Sequence, residues 1–368
     1  VTGTFAGLPE GATVVFNGVT LRVSYMGGTG NDITLSAPLP VATTWSGAGT
    51  NDNWSTGANW IGGAPPASGN ATFVTFPAAS ARFGPAVDAP WTINRMDIAS
   101  ATAYAMTGSA ITFAGASPQL NASGGAHSIA NPLTLSAALA VSNAANLTLS
   151  GAIGGAAGLA KSGAGRLTLS GTSTFTGGTT VNAGTLLVNG TIPGPVVVNG
   201  GATLGGTGTI GGPLTINAGG TLAAGLSPGI TNTGNLVLAG IFLVEIEGAT
   251  LGTQYDNTNV TGTVDVTGAA LTLVGAHVPS AGSTYILITN DGADPVVGTF
   301  VGLAEGATVN FNGAPMRITY AGGTGNDVVL TALAAGTGVA AIPTLSEWSL
   351  LMLALLMGGA GMAAVRWR

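Results

Sequence analysis

The sequence predicts an all-β chain whose main body is a parallel β-helix, a solenoid of short stacked strands. Three observations point there. Glycine is 62 of 368 residues, yet 46% of residues are hydrophobic and only 6% are charged. Short runs of Thr, Val, Ile and Leu alternate with Gly and Asn, the signature of strands joined by tight turns. And the pattern "VNAGTLLVNG" (181–190), "VNGGATLGGTG" (198–208), "INAGGTLAAG" (216–225) returns every 17 or 18 residues. No G-X-Y register supports collagen, and the apolar content is too high for a disordered polar chain.

The elements follow in chain order. Residues 1–37, "VTGTFAGLPEGATVVFNGVTLRVSYMGGTGNDITLSA", return without a gap at 296–332 as "VVGTFVGLAEGATVNFNGAPMRITYAGGTGNDVVLTA", an offset of 295 residues. The first copy reads as the tail of a preceding unit, so the chain, which opens at Val1 without a charged-then-apolar leader, reads as part of a longer protein. Residues 41–100 form a Trp-rich β segment leading into the solenoid. Trp45, Trp54 and Trp60, with Trp91, suit either a sugar-binding platform or local packing. The β-helix occupies 101–240, and a β module over 241–332, sandwich-like or a continuing solenoid, ends in the second copy. Residues 333–341 are a linker, and 342–368 a terminal signal with a transmembrane helix.

The period itself argues for stacking. A strand of four or five residues is not stable alone. Placed on its equivalent one coil earlier, it gains a ladder of backbone bonds and buries its inward aliphatic side chain. Leu186, Leu204 and Leu222 mark the inward position. Asn182, Asn199 and Asn217 mark a corner, as turn formers or as a side-chain ladder.

Chemistry is sparse. Between Ile98 and Val244 there is no Asp or Glu, and the stretch holds one Lys (Lys161), one Arg (Arg166) and one His (His127). A paired-carboxylate site cannot form there from that stretch alone. His127 and His277 read as turn or surface residues. Glu245 and Glu247 share one side of a strand, a spacing that suits a cation site or an acid–base pair but reads more simply as the strand's wet face; Asp256 and Asp265 read as turn caps. Eight Lys+Arg make no basic face, so nucleic acid is not an expected partner. There are no cysteines. No cofactor and no metal site is expected. "GGTGND" (27–32 and 322–327) is similar to the G-G-x-G-x-D calcium repeat, but its copies stand 295 residues apart. A Gly-rich hairpin turn explains it without metal.

Two stretches resemble known families. "GLAKSGAGRLTLSGTSTFTGGTTVNAGTLLVNG" (158–190) resembles the autotransporter-associated β-strand repeat, with Phe175 at a usual Tyr position and Arg166 at a usual Thr. That resemblance implies a right-handed parallel β-helix in a secreted or surface-displayed bacterial protein. "TWSGAGTNDNWSTGANW" (44–60) and "GTQYDNTNVTGTVDVTGAALTLVG" (252–275) look like modules that accompany it.

The C-terminus is the second. Ser349–Val365 is 17 residues without a charge, about 25 Å as a helix, the lower end for a bilayer span. Trp348 and Trp367 bracket it, and Arg366 and Arg368 place its end in the cytoplasm by the positive-inside rule. Ile342, Pro343, Thr344, Leu345, Ser346, Glu347 and Trp348, followed by this run and the arginines, resemble the IPTL-CTERM sorting signal, a relative of PEP-CTERM. The resemblance implies transient anchoring in the inner membrane and processing by an exosortase-type protease, with this chain as the substrate. Pro343 keeps the motif extended, and Thr344 or Ser346 suits a helix cap.

The reading is therefore an exported surface or matrix protein, structural or adhesin-like and not an enzyme, with polysaccharide or a neighbouring surface as partner. Two alternatives stay open. A polysaccharide-degrading β-helix enzyme would carry a cleft rimmed by carboxylates. An autotransporter passenger would end in a translocator barrel with a terminal aromatic residue, where this chain has Arg368.

Overall fold

The computed structural model describes residues 3–16, 19–27, 30, 32–36, 42–225 and 228–334. Strands of two to six residues dominate, and the only helix among the described residues is a single 3-10 turn, Gly57–Asn59. Among these residues no helix is long and apolar enough to cross a membrane. The 349–365 run and the motif at 342–348 lie outside the described residues.

The strands stack in parallel into long sheets. One sheet has 11 strands, from Ala42–Thr44 to Val264–Asp265, and a second has 10, from Ala86–Val87 to Ala270–Val274. A third side is made of a four-stranded sheet, Trp91–Ile93 to Ile153–Gly155, and farther along an eight-stranded one that starts at Thr191–Ile192. The parallel stacking thus begins ahead of residue 101 and runs past residue 240.

Why these residues form coils is visible in one strand type. Leu147–Leu149, "LTL", buries both leucines and leaves Thr148 half-buried on the outside. Alternate residues of a strand point to opposite faces, so three residues give two inward side chains and one outward. Parallel pairing then puts like on like. In the second sheet the inward column is His127, Leu147, Leu167, Leu186, Leu204, Leu222, Phe242 and Leu271. In the 11-stranded sheet it is Val74, Met96, Leu120, Val141, Lys161, Val181, Val198, Ile216 and Leu238. The aliphatic columns merge into one continuous core cluster.

Corners are tight. At Gly163 the backbone has φ +80°, and a Cβ would lie 2.4 Å from the Asn143 carbonyl oxygen of the coil below. Only glycine combines that dihedral with that approach.

The two ends differ. At the start of the stack, Trp45, Trp54 and Trp60 are buried, with Trp60 edge-on to Trp45 (5.1 Å) and to Trp54 (5.6 Å) and all three against Phe76. At the other end, the strand Thr284–Asn290 pairs in parallel with Asn257–Val260 on one side and antiparallel with Asp327–Ala332 on the other. That switch closes the stack with an antiparallel hairpin sheet, Thr308–Phe311, Ala314–Gly322 and Asp327–Ala332. The first repeat copy forms the same three strands, Thr13–Phe16, Val19–Gly27 and Asp32–Ser36, as a separate sheet.

Candidate functional site

The Trp cluster is corrected by the structure. Trp45 and Trp54 expose nothing and Trp60 almost nothing, so none offers a ring face to a sugar. The Trp45 indole donates to the Arg82 carbonyl (2.9 Å) and the Trp60 indole to the Trp54 carbonyl (2.7 Å). Buried Asn59 ties the surrounding turns: its amide donates to the Asn51 and Asn53 carbonyls, and its Oδ1 accepts from Gly49 N–H. The first coil of a solenoid has no coil beneath it, and these rings close the open end of the core.

His277 lies half-buried in a loop, as expected of a turn or surface residue, but His127 does not. His127 is buried, the first member of an inward column. Its Nδ1 accepts the Tyr104 N–H (3.1 Å), which leaves Nε2 as the donor to the Ser123 carbonyl (3.0 Å). His277 pairs its Nε2 with the Tyr285 hydroxyl at 2.9 Å. Both imidazoles are held in place by structural contacts.

Lys161 is the buried cation of the repeat. It sits in the aliphatic column between Val141 and Val181 and exposes nothing. Its ammonium donates to the carbonyls of Ala183 (2.9 Å), Gly163 (3.0 Å) and, more weakly, Ser162 (3.4 Å). These belong to corners of its own coil and the next, so the side chain ties two coils together. Burial pulls its pKa down to about 8.

Asp256 is the matching buried carboxyl, far from Lys161 in the sequence. Its oxygens accept from the backbone N–H of Gly229 (2.9 Å) and Glu245 (2.8 Å). Burial pushes its carboxyl up to about 7, against the two N–H donors that hold it down. Asp265, by contrast, caps a turn by accepting from Thr267 N–H. Glu247 is exposed and Glu245 half-buried, as a wet strand face requires.

At the second "GGTGND" copy the turn joins two paired strands, with Gly322 opposite Asp327. The Asp327 carboxylate accepts from Asn290 N–H (2.9 Å) and Thr324 N–H (3.3 Å). Among the described residues no group of three or more His, Cys, Asp or Glu is placed to hold a metal.

The polar feature that follows much of the body is the outward, half-buried to exposed row of the 11-stranded sheet. Thr75, Asp97, Asn121, Ser142 and Ser162 stand in register on successive coils. Farther along, Asn199 Nδ2 donates to Asn182 Oδ1, and Asn217 Nδ2 to Asn199 Oδ1, each at 2.8 Å. The corner asparagines do form a ladder. Near the start, Arg95 grips Asp97 with two bonds (2.9 and 2.8 Å) and lies 4.7 Å over the Phe73 ring, while Asn121 donates to Asp97 at 2.7 Å. The Asp97 carboxylate beside it holds the Arg95 guanidinium charged. A shallow groove borders this group, lined by Asn121, Ser123 and Ser142. Sequence reading missed this row because it had singled out only the asparagines; the outward parity of Asp97 with Arg95 was the available signal.

Two family matches accompany this geometry. The passenger-associated-transport-repeat matches residues 159–188, and the IPTL-CTERM motif matches residues 340–368. The first covers Lys161, its carbonyl partners at Gly163 and Ala183, and the column position Leu186. No curated protein matches the chain. A β-solenoid bearing a passenger-associated repeat and a C-terminal sorting motif fits an exported surface repeat protein.

Proposed function

We propose that the chain is the structural body of an exported bacterial surface protein, delivered by its C-terminal signal and presenting its long sheet to the surroundings. The observation that carries the reading is the joint presence of the transport repeat at 159–188 and the IPTL-CTERM motif at 340–368 in one chain. The body supplies stiffness: each coil is held by main-chain pairing above and below. The tail supplies delivery. Residues 349–365 enter the inner membrane as a helix, Arg366 and Arg368 stay on the cytoplasmic side, and 342–348 meets an exosortase-type protease at the outer face. The role is structural and adhesive, not catalytic. In support, Lys161 and His127 of the solenoid are engaged in internal hydrogen bonds. The uncharged amides and hydroxyls of the outward row suit a hydroxyl-rich polymer such as an extracellular polysaccharide.

C-terminal mass spectrometry of protein recovered from its host, with and without the sorting protease, tests the delivery route. The proposal expects a mature form lacking Trp367 that depends on the protease. A mature form that keeps Trp367 in both strains overturns it.

A further inference from the structure

The two repeat copies fold alike but are buried differently. In each, a tyrosine hydroxyl accepts from the N–H of a phenylalanine and donates to a carbonyl. Tyr25 takes Phe5 N–H and gives to Leu8 at 2.8 Å each, and Tyr320 takes Phe300 N–H at 2.8 Å and gives to Leu303 at 2.6 Å. In each, a glutamate accepts from that tyrosine's own N–H: Glu10 from Tyr25 and Glu305 from Tyr320. The module therefore has the same internal frame in both places.

Four apolar positions nevertheless change state between the copies. Phe5, Phe16, Ile33 and Leu35 are 58%, 65%, 45% and 55% exposed. Their equivalents Phe300, Phe311, Val328 and Leu330 are 1%, 5%, 0% and 0% exposed. What covers the second copy is the end of the solenoid. Phe300 stacks on Phe242 of the last coils (6.0 Å, 19° between planes), and Asp327–Ala332 pairs antiparallel with Thr284–Asn290. In the first copy, the strand Asp32–Ser36 pairs with Val19–Gly27, and residues 33–36 have no described strand on their other side. Among the described residues, one module thus leaves both a strand edge unpaired and four apolar side chains exposed. Exposed apolar side chains clustered beside an open strand edge mark an interaction surface, since an unpaired flat edge is a template for pairing.

We propose that residues 3–36 are an end cap for a second solenoid in the same polypeptide, built like residues 230–295. The partner is fixed by the second copy: a terminal strand of the "TYILITN" kind, laid antiparallel on Ile33–Ser36, with an aromatic or aliphatic coil end under Phe5 and Phe16. It is placed in the same polypeptide because the strand that the second cap pairs with, Thr284–Asn290, lies directly ahead of that cap in the chain. The equivalent end within this chain is already covered by its own cap, which disfavours a second copy as the occupant. Each cap then serves as the joint that ends one solenoid and leads into the next, and the protein is a string of capped rods. The inference is independent of the delivery route.

The test is a tandem chain with residues 42–295 placed directly ahead of Val1, so that the junction repeats the natural order at 295 and 296. Hydrogen exchange is read over residues 32–36 in the tandem and in the unextended chain. The cap predicts that exchange there slows by about 100-fold in the tandem, towards that of residues 327–332. Exchange at 32–36 that is the same in both chains overturns it. The unextended chain gives a second test that needs no fusion. Leu35→Asp leaves its thermal midpoint unchanged, while Leu330→Asp lowers it; equal loss for both variants overturns the proposal. Sedimentation at rising concentration is the third. A monomer with fast exchange at 32–36 supports the cap, whereas self-association that protects 32–36 makes a second copy the partner and overturns it.

Discussion

Replacing Lys161 by methionine tests the coil-to-coil staple and its electrostatics together. Methionine keeps the length and apolar stem but removes the ammonium. In the fold, burial lowers the Lys161 pKa from 10.5 to about 8. The unfolded chain therefore binds the proton more tightly than the folded chain between those values. Stability rises with pH wherever the unfolded state holds more protons, so this lysine makes the protein more stable as pH climbs from about 8 towards 10.5. At about 1.4 kcal/mol per pKa unit, the rise between pH 7 and pH 10 is roughly 2–3 kcal/mol. The carbonyls of Gly163 and Ala183 act in the other direction: without the ammonium each is a buried acceptor without its donor, at a cost of roughly 1–3 kcal/mol. The two effects separate in pH. Urea unfolding followed by far-UV circular dichroism at pH 7, 8, 9 and 10 gives both. The wild-type chain should gain stability over this range relative to Lys161→Met, with the variant at its greatest disadvantage at pH 10. A wild-type-minus-variant difference that stays flat from pH 7 to 10 refutes the buried-ammonium reasoning.

Asp256 carries the opposite slope in a different window. With its carboxyl raised to about 7, the folded state holds the proton longer, so stability falls as pH rises from about 4 to 7, by at most ~4 kcal/mol; Asp256→Asn should lack that fall in the same urea series. Asn199→Ala breaks two ladder bonds and Asn182→Ala one, so the first should cost about 1 kcal/mol and the second about half of that in unfolding free energy. Leu204→Ala opens a cavity in a buried column between Leu186 and Leu222 and should cost roughly 3–4 kcal/mol. Because coils are stabilised by their neighbours, exchange protection should fall most in the coil of residue 204 and in its neighbours carrying Leu186 and Leu222, and least at the Trp end.

The stacked body was legible because its signal is periodic. The 18-residue spacing of Leu186, Leu204 and Leu222 became one inward column, and Asn182, Asn199 and Asn217 became a ladder. Other features were hidden for stated physical reasons. The coil that leads from Phe242 to Leu271 is longer than its neighbours, so the period breaks there while the stacking continues. Lys161 and His127 read as polar residues by type, yet each shares strand parity with a buried neighbour, Leu159 and Ile129, and parity decides which way a side chain points. The tryptophans stand among Gly, Asn and Ser, a setting the same for a sugar platform and for a plug; only the open first coil distinguishes them. The difference between the two caps was equally invisible, since nearly the same residues make both and only the surroundings change.

The central claim is that the C-terminal tail delivers the solenoid body to the cell surface. The most direct measurement places an epitope in the exposed turn at Gly62 and Gly63 of the protein as its host encodes it, and stains intact host cells carrying either the whole protein or one truncated after Ala341. The account predicts surface staining for the whole protein and its loss when 342–368 is removed. Equal staining of both, or none with the whole protein while permeabilised cells stain strongly, contradicts it.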